Sequence, residues 1–148
     1  MARIIEHVRT PVPPEGAFDL LADFTSTADW DPQIVAAERL DDGPLGVGSR
    51  FRVVVRLGVV PTPMVYEIVH FDRPDRLVLD TRSPLHEGRD DVRFRAALDG
   101  TEVTWDATFA LRGPGRLLDP LLAVGFRRAG RAAVAGLAEA LDGHVTRP

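Results

Sequence analysis

Apolar and polar positions alternate with period two over most of this chain, and follow a helical period only near its two ends. Residues 4–10 are rich in β-branched side chains and run into Pro11-Val12-Pro13-Pro14, which predicts a strand stopped by prolines. Pro14-Glu15 then opens a short helix with Ala17, Phe18, Leu21 and Ala22 on one face. Residues 25–30 predict a second short helix, ended by Pro32 because the residue before a proline avoids the helical region. Six strands follow, over residues 35–40, 49–57, 65–72, 77–82, 90–98 and 102–111. Residues 49–57 alternate most cleanly. Phe51, Val53, Val55 and Leu57 face one way, and Arg50, Arg52, Val54 and Arg56 the other, as in a half-buried antiparallel strand.

Asp99-Gly100 between two alternating runs predicts a hairpin with a type I′ turn, which needs positive φ at both central residues. That register pairs Leu98 with Thr101, Ala96 with Val103, Phe94 with Trp105 and Val92 with Ala107. On the other face Arg93 meets Asp106 and Arg95 meets Thr104. One face is therefore apolar and aromatic. The other is charged, and Arg50, Arg52, Arg93, Arg95 and Asp106 are expected on the solvent side. The last element is a helix of about 22 residues, spanning roughly 33 Å, with Asp119 as N-cap, Pro120 at its first position and Gly143 as terminator. Its apolar stripe is Leu122, Phe126, Ala129, Ala133, Leu137 and Ala140, opposite Arg127, Arg128, Arg131 and Asp142. Gly125, Gly130 and Gly136 interrupt it, each at a cost of about 1 kcal/mol relative to Ala. Such small residues either permit tight packing on the sheet or leave room for a ligand, and the sequence favours tight packing.

Composition narrows the function classes. With 148 residues the chain is expected to form one domain, residues 1–148, long enough to bury a core and a cavity. A net charge of −4 lacks the basic footprint of a nucleic-acid binder, and no apolar run approaches the ~20 residues of a membrane span. Charges at Arg3 and Glu6 interrupt the first residues too early for a secretory apolar region, so a cytoplasmic location is expected. Cys is absent, all 18 basic residues are Arg, and neither Lys nor Asn occurs. Thiol catalysis, disulfides, thiolate metal sites, Schiff bases, a P-loop lysine and Asn-containing triads are thereby excluded. No His-Glu-x-x-His or Gly-x-Ser-x-Gly occurs, and His86-Glu87 alone is no metal site, so neither metal nor cofactor is expected. His7 and His144 lie near the chain ends and are expected to be solvated.

The order of one strand, two short helices, six antiparallel strands and a long C-terminal helix resembles the helix-grip fold of the START-like superfamily, an α+β architecture in which a seven-stranded curved sheet grips the last helix. Local motifs carry the likeness. Pro14-Glu15 with Phe18 and Asp23 resembles the family's first-helix motif, and Asp29-Trp30-Asp31-Pro32 with Val35 resembles its Trp-x-Pro-x-x-Val corner. Gly46-Val47-Gly48-Ser49-Arg50-Phe51 is similar to the opening of its third strand, and Phe71-Asp72-Arg73-Pro74-Asp75-Arg76-Leu77 to its fourth-to-fifth strand link. The polyketide cyclase/dehydrase and lipid-transport subgroup is the most similar. For that subgroup the resemblance implies a cavity between sheet and helix suited to a lipid, sterol or polyketide-like molecule, without implying a shared catalytic set.

Candidate chemistry follows. Tyr66 and His70 share a strand parity with Met64 and Ile68, so both supply polar groups to the pocket if that face is inward; a bulge before Phe71 would turn Val65, Val69 and Phe71 inward instead. Asp90 falls opposite Phe109 on the apolar face, where desolvation would raise its pKa and suit acid/base work, unless the strand has frayed and left it solvated. Asp29 and Asp31 are expected to cap and solvate the corner around Trp30, although paired carboxylates also serve acid/base chemistry. The expected cavity wall is Trp30, Phe51, Val53, Val55, Tyr66, Phe94, Trp105 and Phe109, with Leu122 and Phe126 as lid and an opening near the Trp30–Pro32 corner. Three functions fit: a non-catalytic binder of a hydrophobic small molecule, an aromatase/cyclase-like enzyme using Tyr66, His70 and Asp90, or an interaction module docking through Arg127, Arg128 and Arg131. The sequence does not fix the oligomeric state.

Overall fold

A computed structural model describes residues 1–57 and 59–146, so the expected inward direction of the Leu57 side chain falls outside the described residues. The chain runs β1 (Ala2–Thr10), α1 (Pro14–Ala22), a 3-10 turn (Phe24–Ser26), α2 (Thr27–Trp30), β2 (Ile34–Arg39), β3 (Arg50–Leu57), β4 (Val60–Asp72), β5 (Arg76–Arg82), β6 (His86–Ala97), β7 (Gly100–Leu111), a second 3-10 turn (Gly113–Leu118), α3 (Asp119–Ala140) and β8 (His144–Thr146). The strands form one sheet in the order β2-β3-β4-β5-β6-β7-β1-β8, with every pairing antiparallel. This is the helix-grip architecture, with eight strands rather than the expected seven. The extra strand, β8, forms when the chain leaves α3 and pairs His7, Val8 and Arg9 of β1 with residues 144–146. It is too short for a period-two signal.

The sheet buries one face. Beneath α1, Phe18 meets Phe71 and Phe94 edge-on at ring distances of 5.0 and 5.3 Å, and Phe51, Ile68, Leu77, Leu79 and Val92 complete the core there. On the opposite face Arg50, Arg52, Arg93 and Arg95 are exposed and Asp106 is half-buried, as the alternation predicted.

The hairpin register needs correction. Ala97 pairs with Gly100, Phe94 with Val103 and Val92 with Trp105, a slip of two residues from the expected pairing. The loop is Leu98-Asp99, and Gly100 is the first paired residue, with φ 140°. Its glycine requirement comes from close approach: a Cβ there would lie 2.0 Å from the Thr10 carbonyl oxygen. Because the slip is even, every side chain keeps its face while the ion pairs change partners. Arg95 reaches Glu102 at 3.0 Å, Asp106 pairs with Arg3 at 2.8 Å, and Arg93 comes no nearer an acid than 4.0 Å, to Asp91.

At the start of α3, Asp119 does not cap the helix. It accepts instead from the Leu111 amide at 3.1 Å and pairs with the terminal amine of Met1 at 3.2 Å, tying the helix to β7 and β1. At the far end Asp142, with φ 53°, takes the left-handed position expected of Gly143. Gly143 is needed for another reason, since a Cβ there would lie 2.0 Å from the Arg9 carbonyl oxygen.

Candidate functional site

The two halves of α3 meet the sheet differently. Toward the C-terminal end Val134, Leu137 and Ala138 are buried, and a Cβ on Gly136 would fall 1.8 Å from the Trp30 carbonyl oxygen, so helix and corner are in direct contact. Toward the N-terminal end a Cβ on Gly125 would meet nothing within 4 Å. Both alternatives for the small-residue stripe are thus realised, in different halves. Under the open half lies a cavity of about 540 Å³. Trp30, Val55, Met64, Tyr66, Trp105 and Phe109 form its wall on the sheet side, and Leu122, Phe126, Ala129 and Ala133 close it from α3.

Seven of the ten residues expected to contact a ligand line this space: Trp30, Val55, Tyr66, Trp105, Phe109, Leu122 and Phe126. Phe51, Val53 and Phe94 do not. They point to the same face of the sheet, but there Phe24 packs near Phe51, at 6.1 Å between rings, and Phe18 covers Phe94. Alternation assigns a face, whereas the division of that face between helix and cavity depends on how far α1 and the first 3-10 turn reach. The expected opening is also displaced. The corner is sealed by Gly136, and the exposed lining residues are Leu118 just before α3, Leu121 and Gly125 on its first turns, and Arg56 near the end of β3.

The titratable groups divide. Tyr66 sits opposite Phe51 and turns inward. His70 does not reach the cavity. A bulge between Ile68 and His70 shifts the β4–β5 register, so Ile68 and Phe71 both pack inward and His70 is exposed. Asp90 faces the cavity opposite Ala107, not Phe109, and its Oδ1 accepts from the indole Nε1–H of Trp105 at 3.0 Å. Burial pushes its pKa up to about 6; the indole bond opposes this, and the negative charges of Asp31 and Asp80 add to it. The strand has not frayed there: β6 begins at His86.

Asp31 does cap the corner, accepting from the Gln33 amide at 2.9 Å, but it is not solvated as expected. It lines the cavity, and burial raises its pKa to about 6 against that backbone bond. Asp29 is exposed. The Tyr66 hydroxyl is pushed up by burial, then by the charges of Asp90 and Asp31, so it remains a protonated donor.

Several lining residues escaped the sequence reading. Glu6 is buried at the cavity with Arg131 at 3.9 Å, and its place between Ile4 and Val8 was a usable signal. Gln33 lines the cavity with a buried carboxamide oxygen that has no hydrogen-bond partner among the described residues. Behind Phe109, His86 stacks at 5.5 Å and contacts the Ser83 hydroxyl through Nδ1 at 2.8 Å, while burial lowers its pKa. His7 is half-buried, not solvated, with Nδ1 3.1 Å from the Thr104 hydroxyl; His144 is exposed in β8. Among the described residues, no group of three His, Asp or Glu side chains is placed to hold a metal ion, and no helix is long and apolar enough to cross a membrane.

The sequence profile described as "Polyketide cyclase / dehydrase and lipid transport" matches residues 1–142. The chain belongs to this family. Solved structures agree on the fold. The chain is similar to the Zhui aromatase/cyclase of Streptomyces at 16% identity, covering 95% of this chain and 93% of that one with a TM-score of 0.78. It is similar to TTHA0849 of Thermus thermophilus at 20% identity, covering 93% and 94% with a TM-score of 0.76. A START superfamily protein from Mycobacterium smegmatis matches at 12% identity over 96% and 98%, also with a TM-score of 0.76. No curated protein sequence matches significantly. At these identities the neighbours speak for the START-like fold, and family membership adds a ligand-binding fold of the polyketide cyclase type.

Proposed function

We propose that the chain binds a hydrophobic small molecule, of lipid, sterol or polyketide-like shape, in the cavity under α3 and holds it without transforming it. The observation that carries this is the cavity itself: about 540 Å³, walled mainly by aromatic and aliphatic side chains and opening past Leu118 and Leu121. Its size falls in the range of ligand sites, roughly 300–1,000 Å³. Transfer of apolar ligand surface out of water supplies about 25 cal/mol per Å² before the costs of association. A lipophilic dye or a fatty alcohol should bind and alter tryptophan fluorescence, and Trp105→Ala should weaken binding in a protein that remains folded. Absence of binding by any apolar probe would remove the proposal.

A second reading, an aromatase/cyclase-like enzyme, draws on Tyr66, Asp31 and Asp90 facing one space. A carboxylate with a pKa near 6 suits proton abstraction beside a carbonyl, and a protonated phenol suits donation to the resulting enolate oxygen. Exchange of solvent deuterium into a bound β-diketone, abolished by Asp90→Asn, would favour this reading over the carrier. Docking through Arg127 and Arg128 fits their exposure, whereas Arg131 turns toward Glu6.

A further inference from the structure

The cavity is apolar along most of its wall, and its polar atoms gather around the corner and the facing strands. Asp31, Gln33, Tyr66 and Asp90 all line it, on the corner, β4 and β6. The hydrogen bonds they receive are few and come from neutral donors. Asp90 has the Trp105 indole and Asp31 the Gln33 amide, one each, where a carboxylate accommodates about four. The Gln33 carboxamide oxygen is buried with no partner, and the Tyr66 hydroxyl has none among the described residues. Among the described residues, neither aspartate forms an ion pair with a cation. The nearby arginines are committed differently: Arg131 of α3 faces Glu6 of β1, and Arg56 of β3 stands exposed at the rim.

On the basis of the binding function proposed above, we infer that the ligand is an amphiphile with a cationic, donor-rich head, a protonated amine on an apolar body, and that the head seats between Asp31 and Asp90 with Tyr66 and Gln33 beside it. Unused capacity at this end is chiefly acceptor capacity, and its charge is negative and uncompensated. Leaving a carboxylate desolvated without a cation is costly, as the upward displacement of both aspartates records. An ammonium group supplies the charge and up to three N–H donors. A carboxylate-headed lipid would face repulsion from both aspartates.

Dodecylamine, dodecanol and dodecanoic acid share one tail and differ only in the head, so titrating each into the intact protein separates head from tail. Tryptophan fluorescence and calorimetry provide the readouts. At about pH 8, with both aspartates ionised, the amine should bind at least about tenfold more tightly than the alcohol, and the acid more weakly than the alcohol. In the Asp31→Asn/Asp90→Asn variant the ratio of amine to alcohol affinity should collapse toward one, whatever the alcohol's own affinity becomes. In the unaltered protein at about pH 5, where the aspartates are largely protonated, the preference should shrink likewise, so the test stands even if the variant does not fold. Alcohol binding with no preference for the amine, or a preference that survives both the variant and the lower pH, would overturn this inference and leave the carrier function standing. Failure of all three probes to bind would overturn both.

Discussion

The indole of Trp105 donates to the Asp90 carboxylate across neighbouring strands, 3.0 Å from Nε1 to Oδ1. Trp105 also meets Trp30 edge-on at 5.9 Å, so one aromatic side chain connects the buried acid on β6 with the corner that carries Asp31. A group bound near either aspartate is therefore sensed by an intrinsic fluorophore. Burial makes Asp90 expensive to keep ionised, and this one neutral donor offsets only part of the hydration that the carboxylate has lost.

That cost predicts a pH dependence of stability. The folded protein holds the Asp90 and Asp31 protons up to about pH 6, against an ordinary value of 3.8, so it binds more protons than the unfolded chain between these limits. Their stabilising contribution is complete below the ordinary value and is lost as the pH rises through about 6. At about 1.4 kcal/mol per pKa unit, each is worth on the order of 3 kcal/mol. Asp90→Asn retains an oxygen for the indole and removes the charge. It should stabilise the fold by about 3 kcal/mol at pH 8 and by little at pH 4, measured by urea unfolding. A gain of equal size at both pH values would show that charge burial is not the cause.

Glycines within α3 should separate by position. Gly136→Ala puts a methyl group against the Trp30 carbonyl and should cost about 3 kcal/mol or more. Gly125→Ala meets nothing within 4 Å and should gain about 0.5–1 kcal/mol from helix propensity. Denaturant melts of the two single variants check this, and similar effects from both would contradict the division of the helix into a packed half and an open half.

Arg95 tests the outer face. Its side chain is 77% exposed and makes one ion pair, with Glu102. Arg95→Ala should change stability by less than about 0.5 kcal/mol. A loss of several kcal/mol would mean that the faces of the sheet had been assigned the wrong way round.

Period-two alternation was sufficient to place Phe51, Phe94 and Trp105 on one face and the arginines on the other, because a face depends only on parity. It survived a register error of two residues for the same reason. What alternation cannot carry is a break in parity or a boundary along one face. The bulge at Val69 takes His70 out of the site, and the reach of α1 separates Phe94, in the core, from Trp105, in the cavity. The prolines at 61 and 63 concealed the first part of β4, since proline opposes a central strand. They are tolerated where β4 overhangs β5, whose pairing with it ends at Tyr66 and Thr81. Asp31 was read from its neighbours as a turn-capping residue, and it is one. Its second role arises only when α3 closes over the corner.

If the space under α3 is the binding site, filling it should abolish binding without harming the fold. Ala129 and Ala133 line the cavity from the helix, one turn apart, away from the tight contacts at Gly130 and Gly136. Leu at both positions adds apolar volume into a void, so the usual penalty for overpacking is avoided. Burial of the added methylenes should leave stability unchanged or raise it by about 1 kcal/mol. Ala129→Leu/Ala133→Leu should weaken dodecanol or dye binding by at least about tenfold, because the ligand and the new side chains compete for the same volume. Arg128→Ala, on the exposed side of the same helix, should leave binding unchanged and serves as the control. Undiminished binding in the filled variant, with unfolding curves showing it intact, would place the ligand elsewhere on the protein and withdraw the cavity from the proposed function.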